Sequence, residues 1–284
     1  MNAWVPEMMP LSSLVARLLD GLSLPAASYI VTVYGDVVVP RGEVLWMGSL
    51  IEVCARVGIR ENLVRTAVSR LVAAGRLEGE RAGRRSFYRL APAARAEFAR
   101  AARLLYAPDG EGEAPGWRLI HAPGVAEEIL RRDGFGRMSG DVWVAPDRGQ
   151  AVPGAALTLI AAPEGEAAPL AACWDLEPIR AGYAAVIARF GPLLEAAPPG
   201  GTDALIARLL LVHAYRAVLL RDPRLPVGVL PADWPGHEAA LIFRRLYSAL
   251  SPAADAEVAR LLEGDASPLP AQTPRTKARL AAIG

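Results

Sequence analysis

Residues 62–72 separate polar from apolar side chains as only a helix laid on a core would. Projected at about 100° per residue, Arg65, Ser69, Asn62, Thr66 and Arg70 fall on one continuous arc, while Leu63, Ala67, Leu71, Val64, Val68 and Val72 fill the other. The apolar arc is expected to pack on a preceding helix over residues 49–57, reached through the turn Gly58-Ile59-Arg60. A short, glycine-containing connection between two such helices is the helix-turn-helix spacing. Gly75 is placed to end the second helix in the left-handed conformation. Residues 76–80 and 86–90 then alternate as a hairpin turning at Ala82-Gly83. Helix, turn, helix and hairpin predict a winged helix-turn-helix.

The outward arc holds side chains suited to the edges of base pairs. Arginine offers a fork to guanine, asparagine pairs with adenine, and serine and threonine serve bases or phosphates. Arg60, Asn62, Arg65, Thr66, Ser69 and Arg70 are therefore the candidate base-reading set. Arg81, Arg84, Arg85, Ser86 and Tyr88, on the hairpin tip and its returning arm, are candidates for gripping phosphates. Charge agrees: residues 41–103 hold thirteen arginines against six glutamates, a net +7, whereas the remaining eighteen basic and twenty-four acidic residues give −6. A basic segment in an otherwise acidic chain points to a polyanionic partner.

Along the chain, residues 1–24 read as a leader with a short helix near 11–22, residues 25–92 as the winged helix, and residues 93–116 as a charged helix followed by a linker. In residues 117–176, WRLIHAP and DVWVAP read as strands around a helix over 125–133, with ALTLIAAP as a further buried strand. That order predicts a split βαβ, ferredoxin-like unit. Gly134-Phe135-Gly136-Arg137 reads as a turn, or as a basic loop facing a phosphate. Residues 177–284 are helical, with helices at 179–196, 204–220, 237–250 and 253–263, a proline-rich loop at 222–236, and a Pro- and Ala-rich tail expected to fray. The fold class is α+β.

Nothing in the chain has the spacing of a catalytic or metal site. His121, His213 and His237 form no ligand pair, and neither a G-x-S-x-G nor a phosphate-binding loop occurs. No cofactor is expected. Cys54 and Cys173 are too few and too far apart for a disulfide framework, which fits a cytoplasmic protein. The N-terminus lacks a signal pattern, and Arg208 and Arg216 interrupt the most apolar stretch, so no membrane span is expected.

The stretches SYIVTVYGDVVVPRG, WMGSLIEV and GIRENLVRTAVSRLVAAGRLEGERAGRRSFYRL resemble the N-terminal domain of the PaaX family of phenylacetic-acid degradation operon repressors. LLLVHAYRAVLLRDPRLPVGVLPADWPGHEA resembles that family's C-terminal helical domain. The resemblance implies a homodimeric repressor on an inverted repeat of double-stranded operator DNA, released by an acyl-CoA effector such as phenylacetyl-CoA. It also implies a central domain similar to CRISPR-associated ribonucleases. Those use an aspartate at the end of the first strand, where this chain reads Leu119-Ile120-His121-Ala122, so a nucleic-acid-processing enzyme is the lesser alternative. A different aromatic or acyl-CoA ligand is another. Such an effector needs cations for its phosphates and an apolar slot, for which Arg137, Arg180, Tyr183, His213, Arg216, Arg221, Trp234 and His237 are the candidates. The 222–236 loop either closes over that ligand or merely terminates helices.

Overall fold

The structure is a computed structural model and describes residues 12–106, 116–152, 154–162, 164–265 and 267–284. The first part of the expected leader, 1–11, and all but the last residue of the linker expected over 107–116 lie outside the described residues. The N-terminal segment contains α1 (Ser13–Leu19), α2 (Ala26–Val33), β1 (Val44–Trp46), α3 (Met47–Ala55), α4 (Glu61–Ala73), β2 (Leu77–Ala82), β3 (Arg85–Leu90) and α5 (Arg95–Tyr106). The middle contains β4 (Trp117–His121), α6 (Glu127–Arg132), β5 (Gly136–Ser139), β6 (Val142–Pro146) and β7 (Leu157–Ala161). The C-terminal part contains α7 (Glu177–Phe190), α8 (Gly201–Leu219), α9 (Gly236–Leu261) and α10 (Pro274–Ile283). The chain is thus α+β with two antiparallel sheets.

Two compact units divide it: Met1–Pro108 with Val186–Arg216 and Ala240–Gly284, and Asp109–Ala185 with Ala217–Ala239. In the first unit, α8 is apolar on nearly every side, and residues 204–215 are all buried, as expected of a helix enclosed by others. The three-stranded sheet has the order β1-β3-β2. In the second unit the order is β5-β6-β4-β7, with every neighbouring pair antiparallel. Alternation along β4 and β6 sends Ile120, Trp143 and Ala145 to one face with Leu130 and Phe135, and Trp117 and Val144 to the other with Leu225 and Val229.

Several expectations are corrected. The 134–137 turn is partly strand: Gly134 turns at φ +88°, and Arg137 lies in β5. Gly136 is needed there because a Cβ would lie 2.6 Å from the Trp174 ring. The helices expected at 237–250 and 253–263 are one helix, α9, with Pro252 inside it. Its buried stripe of Leu246, Leu250, Ala254 and Val258 runs straight through the proline and outweighs the lost backbone bond. The tail expected to fray forms α10, capped reciprocally by Thr273 and Thr276. Its Arg279 is drawn into the core.

That core contains a charged network, all within the first unit. The valine-rich run after Pro25 forms α2 against its propensity, then widens into a π-helical turn over Tyr34–Val38 that turns Asp36 inward. Asp36 accepts hydrogen bonds from Tyr106 Oη (3.0 Å), Tyr247 Oη (2.8 Å) and Arg208 Nε (3.1 Å), and Arg279 Nη1 lies 3.3 Å away. Arg208 also donates to Asp255 at 2.6 Å, as does Arg41. Arg41, counted with the basic face on sequence, is therefore buried and occupied. Burial pushes the Asp36 acid up, but Arg208 and Arg279 outweigh it and hold it below the ordinary aspartate range. Three guanidiniums face two carboxylates. Carbonyls of Val37, Pro270 and Ala271 on Arg41 and the Tyr106 ring 3.8 Å from Arg279 offset the excess charge.

Removing one partner from such a network leaves buried charge uncompensated. Asp36→Asn is expected to cost about 3–5 kcal/mol of unfolding free energy, measured by urea denaturation; a loss below about 1 kcal/mol would mean that the network is not needed.

Beside it, His213 lies between the Thr32 hydroxyl, 3.2 Å from Nδ1, and the Ser23 carbonyl, 3.3 Å from Nε2. A neutral ring carrying its proton on Nε2 satisfies both. Burial lowers its pKa from 6.5 to about 4, with Arg216 adding in the same direction. The unfolded chain therefore binds a proton that the folded chain refuses, so this contribution is complete above pH 6.5 and lost as pH falls toward 4. The loss should amount to about 3 kcal/mol, and His213→Gln should flatten the stability–pH curve over that interval.

Candidate nucleic-acid interface

The helix expected at 62–72 is α4, and its axis is fixed from both ends. The α3–α4 turn is made by Gly58 at φ +80°, with the Ile59 amide donating to Cys54 O at 3.0 Å. At the far end Gly75 has φ +65°; its amide donates to Val72 O and that of Arg76 to Leu71 O, the paired bonds of a left-handed helix end. Val64, Ala67, Val68 and Leu71 are buried. Leu63 and Val72, read with them as core, are 51% and 38% exposed. The apolar arc is narrower than the sequence implied, because these two lie at its margins and only the central four face the core.

Asn62, Arg65, Thr66, Ser69 and Arg70 are all exposed, as is Arg60 at the helix entry. Local hydrogen bonds occupy three of them. Arg65 pairs with Glu61 (2.7 Å), Asn62 Oδ1 accepts the Leu63 amide (2.9 Å), and the Thr66 hydroxyl donates to Asn62 O (2.8 Å). Arg60 and Arg70 form no ion pair among the described residues.

The hairpin pairs Ala82 with Arg85, so its two-residue turn is Gly83-Arg84, one residue beyond the expected one, with Gly83 at φ +60°. A glycine in the first turn position matches the twist of the flanking strands. Arg81, Arg84 and Arg85 are exposed, whereas Ser86 and Tyr88 are half-buried, and the Tyr88 carbonyl accepts from Tyr34 Oη at 3.0 Å. Arg85 was not expected to be engaged. Its guanidinium stacks 4.5 Å from the Trp46 ring and pairs with Glu263 at 2.6 Å. A Cβ on Gly48 would lie 2.4 Å from that ring, so only glycine fits there. The Trp46 amide donates to Glu263 O at 2.8 Å, and Ser49 Oγ accepts from the Glu263 amide at 3.0 Å. The segment after α9 thus fastens β1 and the start of β3, next to the hairpin turn. No short-range pattern could reveal a partner 178 residues away.

The eight candidate effector residues are not gathered in one place. His213 and Arg216 belong to the first unit, and Arg216 Nη2 donates to Ser28 O at 3.2 Å. The other six belong to the second. There Arg180 pairs with Asp233 at 2.8 Å and stacks 5.7 Å from Trp234, whose ring lies edge-on to Tyr183 at 6.2 Å. Tyr183 donates to Asp222 at 2.7 Å. Burial pushes the Asp222 acid up despite that bond. Arg137 stacks 4.9 Å from Trp143 beside Glu127, and Arg221 and His237 are exposed. Among the described residues no group of His, Cys, Asp and Glu is arranged to hold a metal, and no helix is long and apolar enough to cross a membrane.

The family profile described as "PaaX-like protein" matches residues 25–94, which span α2 to β3, and "PaaX-like protein C-terminal domain" matches residues 174–260. The Transcriptional repressor PaaX of Escherichia coli (strain K12) is 30% identical over 292 residues, covering 93% of this chain and 92% of that protein. The chain belongs to the PaaX-like family. Among solved structures, an uncharacterized protein, Rv0674 from Mycobacterium tuberculosis, is similar with 24% identity and a TM-score of 0.45, covering 74% of this chain and 90% of that one.

Arg85 and Glu263 are both about half exposed, and such a pair is worth at most about 1 kcal/mol, so a phosphate can displace the carboxylate. Glu263→Gln should therefore strengthen binding to duplexes of any sequence and steepen its salt dependence by up to about one released counterion. Salt titrations of fluorescence anisotropy that superimpose for the two proteins would place Arg85 off the DNA.

Proposed function

We propose that this PaaX-like protein is a transcriptional repressor that binds duplex operator DNA through residues 25–92 acting as a winged helix-turn-helix. The observation that carries the reading is the similarity to a transcriptional repressor along nearly the whole chain. The exposed polar arc of α4 and the arginine-bearing hairpin beside it support it. In this reading α4 lies in the major groove and Arg81, Arg84 and Arg85 grip flanking phosphates. The protein is a regulator, not an enzyme.

Residues 117–176 act as a ferredoxin-like centre, a reading supported by the β5-β6-β4-β7 order with α6 crossing between β4 and the parallel β5. The active species is a cytoplasmic homodimer on an inverted repeat. The effector that releases it is an acyl-CoA of the phenylacetyl type, the regulated genes being those of phenylacetate breakdown. Arg180, Tyr183 and Trp234, which meet in the second unit, are the best-supported part of its site; His213 and Arg216 have structural partners of their own. A different aromatic acyl thioester is the second reading, since cations beside aromatic rings suit any of them.

Gel-shift titration on a duplex selected in vitro tests both levels. Phenylacetyl-CoA should release the DNA at submillimolar concentration, and binding unchanged at millimolar ligand would remove that effector while leaving the repressor reading intact. Arg70→Ala should cost about 1–3 kcal/mol on the selected duplex but little on unselected DNA. Arg84→Ala should weaken both alike and reduce the salt slope by about one. Unchanged binding in both variants would contradict the groove placement.

A further inference from the structure

The first turn of α4 carries a side chain that the core does not use. Leu63 is 51% exposed, although it stands one residue before Val64, which is completely buried. On the helix surface it is followed at i+3 by Thr66 and at i+7 by Arg70, both exposed, so all three share one strip of α4. The Thr66 hydroxyl is turned back to the Asn62 carbonyl at 2.8 Å, which leaves its methyl group as what it can offer outward. Asn62 Oδ1 is likewise turned onto the Leu63 amide. The leading end of the helix therefore presents two apolar groups side by side, flanked by Arg60 and Arg70.

An exposed leucine gains free energy only by meeting another apolar group, and the cations around it select a polyanionic surface. On the floor of the major groove, donors and acceptors line every base edge, and the one apolar group is the 5-methyl of thymine. We infer that Leu63, with the methyl of Thr66, reads a thymine 5-methyl group in each operator half-site. This rests on the proposed entry of α4 into the major groove and adds a specificity determinant to it. Arg70, one turn farther along the same strip, then takes a polar base edge beside that thymine.

Duplexes bound by the wild-type chain are selected from a random pool, and the best is resynthesised with deoxyuridine in place of thymine, one position at a time. Deoxyuridine removes the methyl group and keeps every hydrogen-bonding edge. At one thymine per half-site the wild-type protein should bind about fourfold more weakly, the worth of one buried methyl-sized group. In Leu63→Ala that difference should disappear, with the melting temperature unchanged because the side chain is exposed. Equal uracil penalties in both proteins, or no penalty at any thymine, would overturn the assignment while sparing the repressor reading. Failure to select any duplex would remove the DNA-binding reading, and this inference with it.

Discussion

Asp36 is the point on which the first unit depends. Its carboxylate is fully buried, and it collects two tyrosine hydroxyls and the guanidiniums of Arg208 and Arg279. These partners come from α5, α8, α9 and α10, while Asp36 itself follows directly from α2. A buried carboxylate without them would be prohibitively costly, so the N-terminal segment acquires its native core only when the C-terminal helices are in place. Through Asp255 the same network holds Arg41, just before the backbone turns at Gly42 and Glu43, at φ +112° and +71°, to enter β1. The strand that seats the hairpin is thus aligned by charges supplied from more than two hundred residues away.

The exposed polar face of α4, the proposed reading face, inherits its precision from the core beneath it. Four buried residues of α4 set its rotation, glycines at both ends set its length, and β3, paired between β1 and β2, sets the height of the hairpin. The exposed side chains are not held in waiting without partners. Glu61 and Glu263 each occupy an arginine through exposed ion pairs that are weak in water. Such carboxylates orient the arginines at little energetic cost, and in the proposed complex they would yield to phosphate. Neutralised locally, the basic surface avoids self-repulsion in the free protein.

What the sequence made legible follows from the range of the forces involved. The α4 periodicity, the glycine that ends it and the alternating hairpin are local patterns, and all lie within a residue or two of where they were expected. Leu63 was misread because it lies at the margin of the apolar arc, where a projection does not separate core from surface. Helix α2 and strand β1 went unnoticed because a run of valines has no period that separates helix from strand. The continuity of α9 through Pro252 and the anchoring of α10 depend on tertiary burial, which overrides local breakers. The Asp36 network and the Glu263 fastening join residues 172 and 178 positions apart, and no short-range pattern carries such information. The candidate effector set fared differently: residue types suited to a ligand were identifiable, but which of them meet in space was not.

The central claim is that α4 enters the major groove of a specific duplex. Dimethyl sulfate interference on a selected operator tests it directly, because the reagent methylates guanine N7, which lies on the major-groove edge. The account predicts that methylation at guanines in two half-sites, centred roughly ten base pairs or a multiple of it apart on one face of the duplex, abolishes binding. Binding that tolerates N7 methylation at every guanine would contradict it.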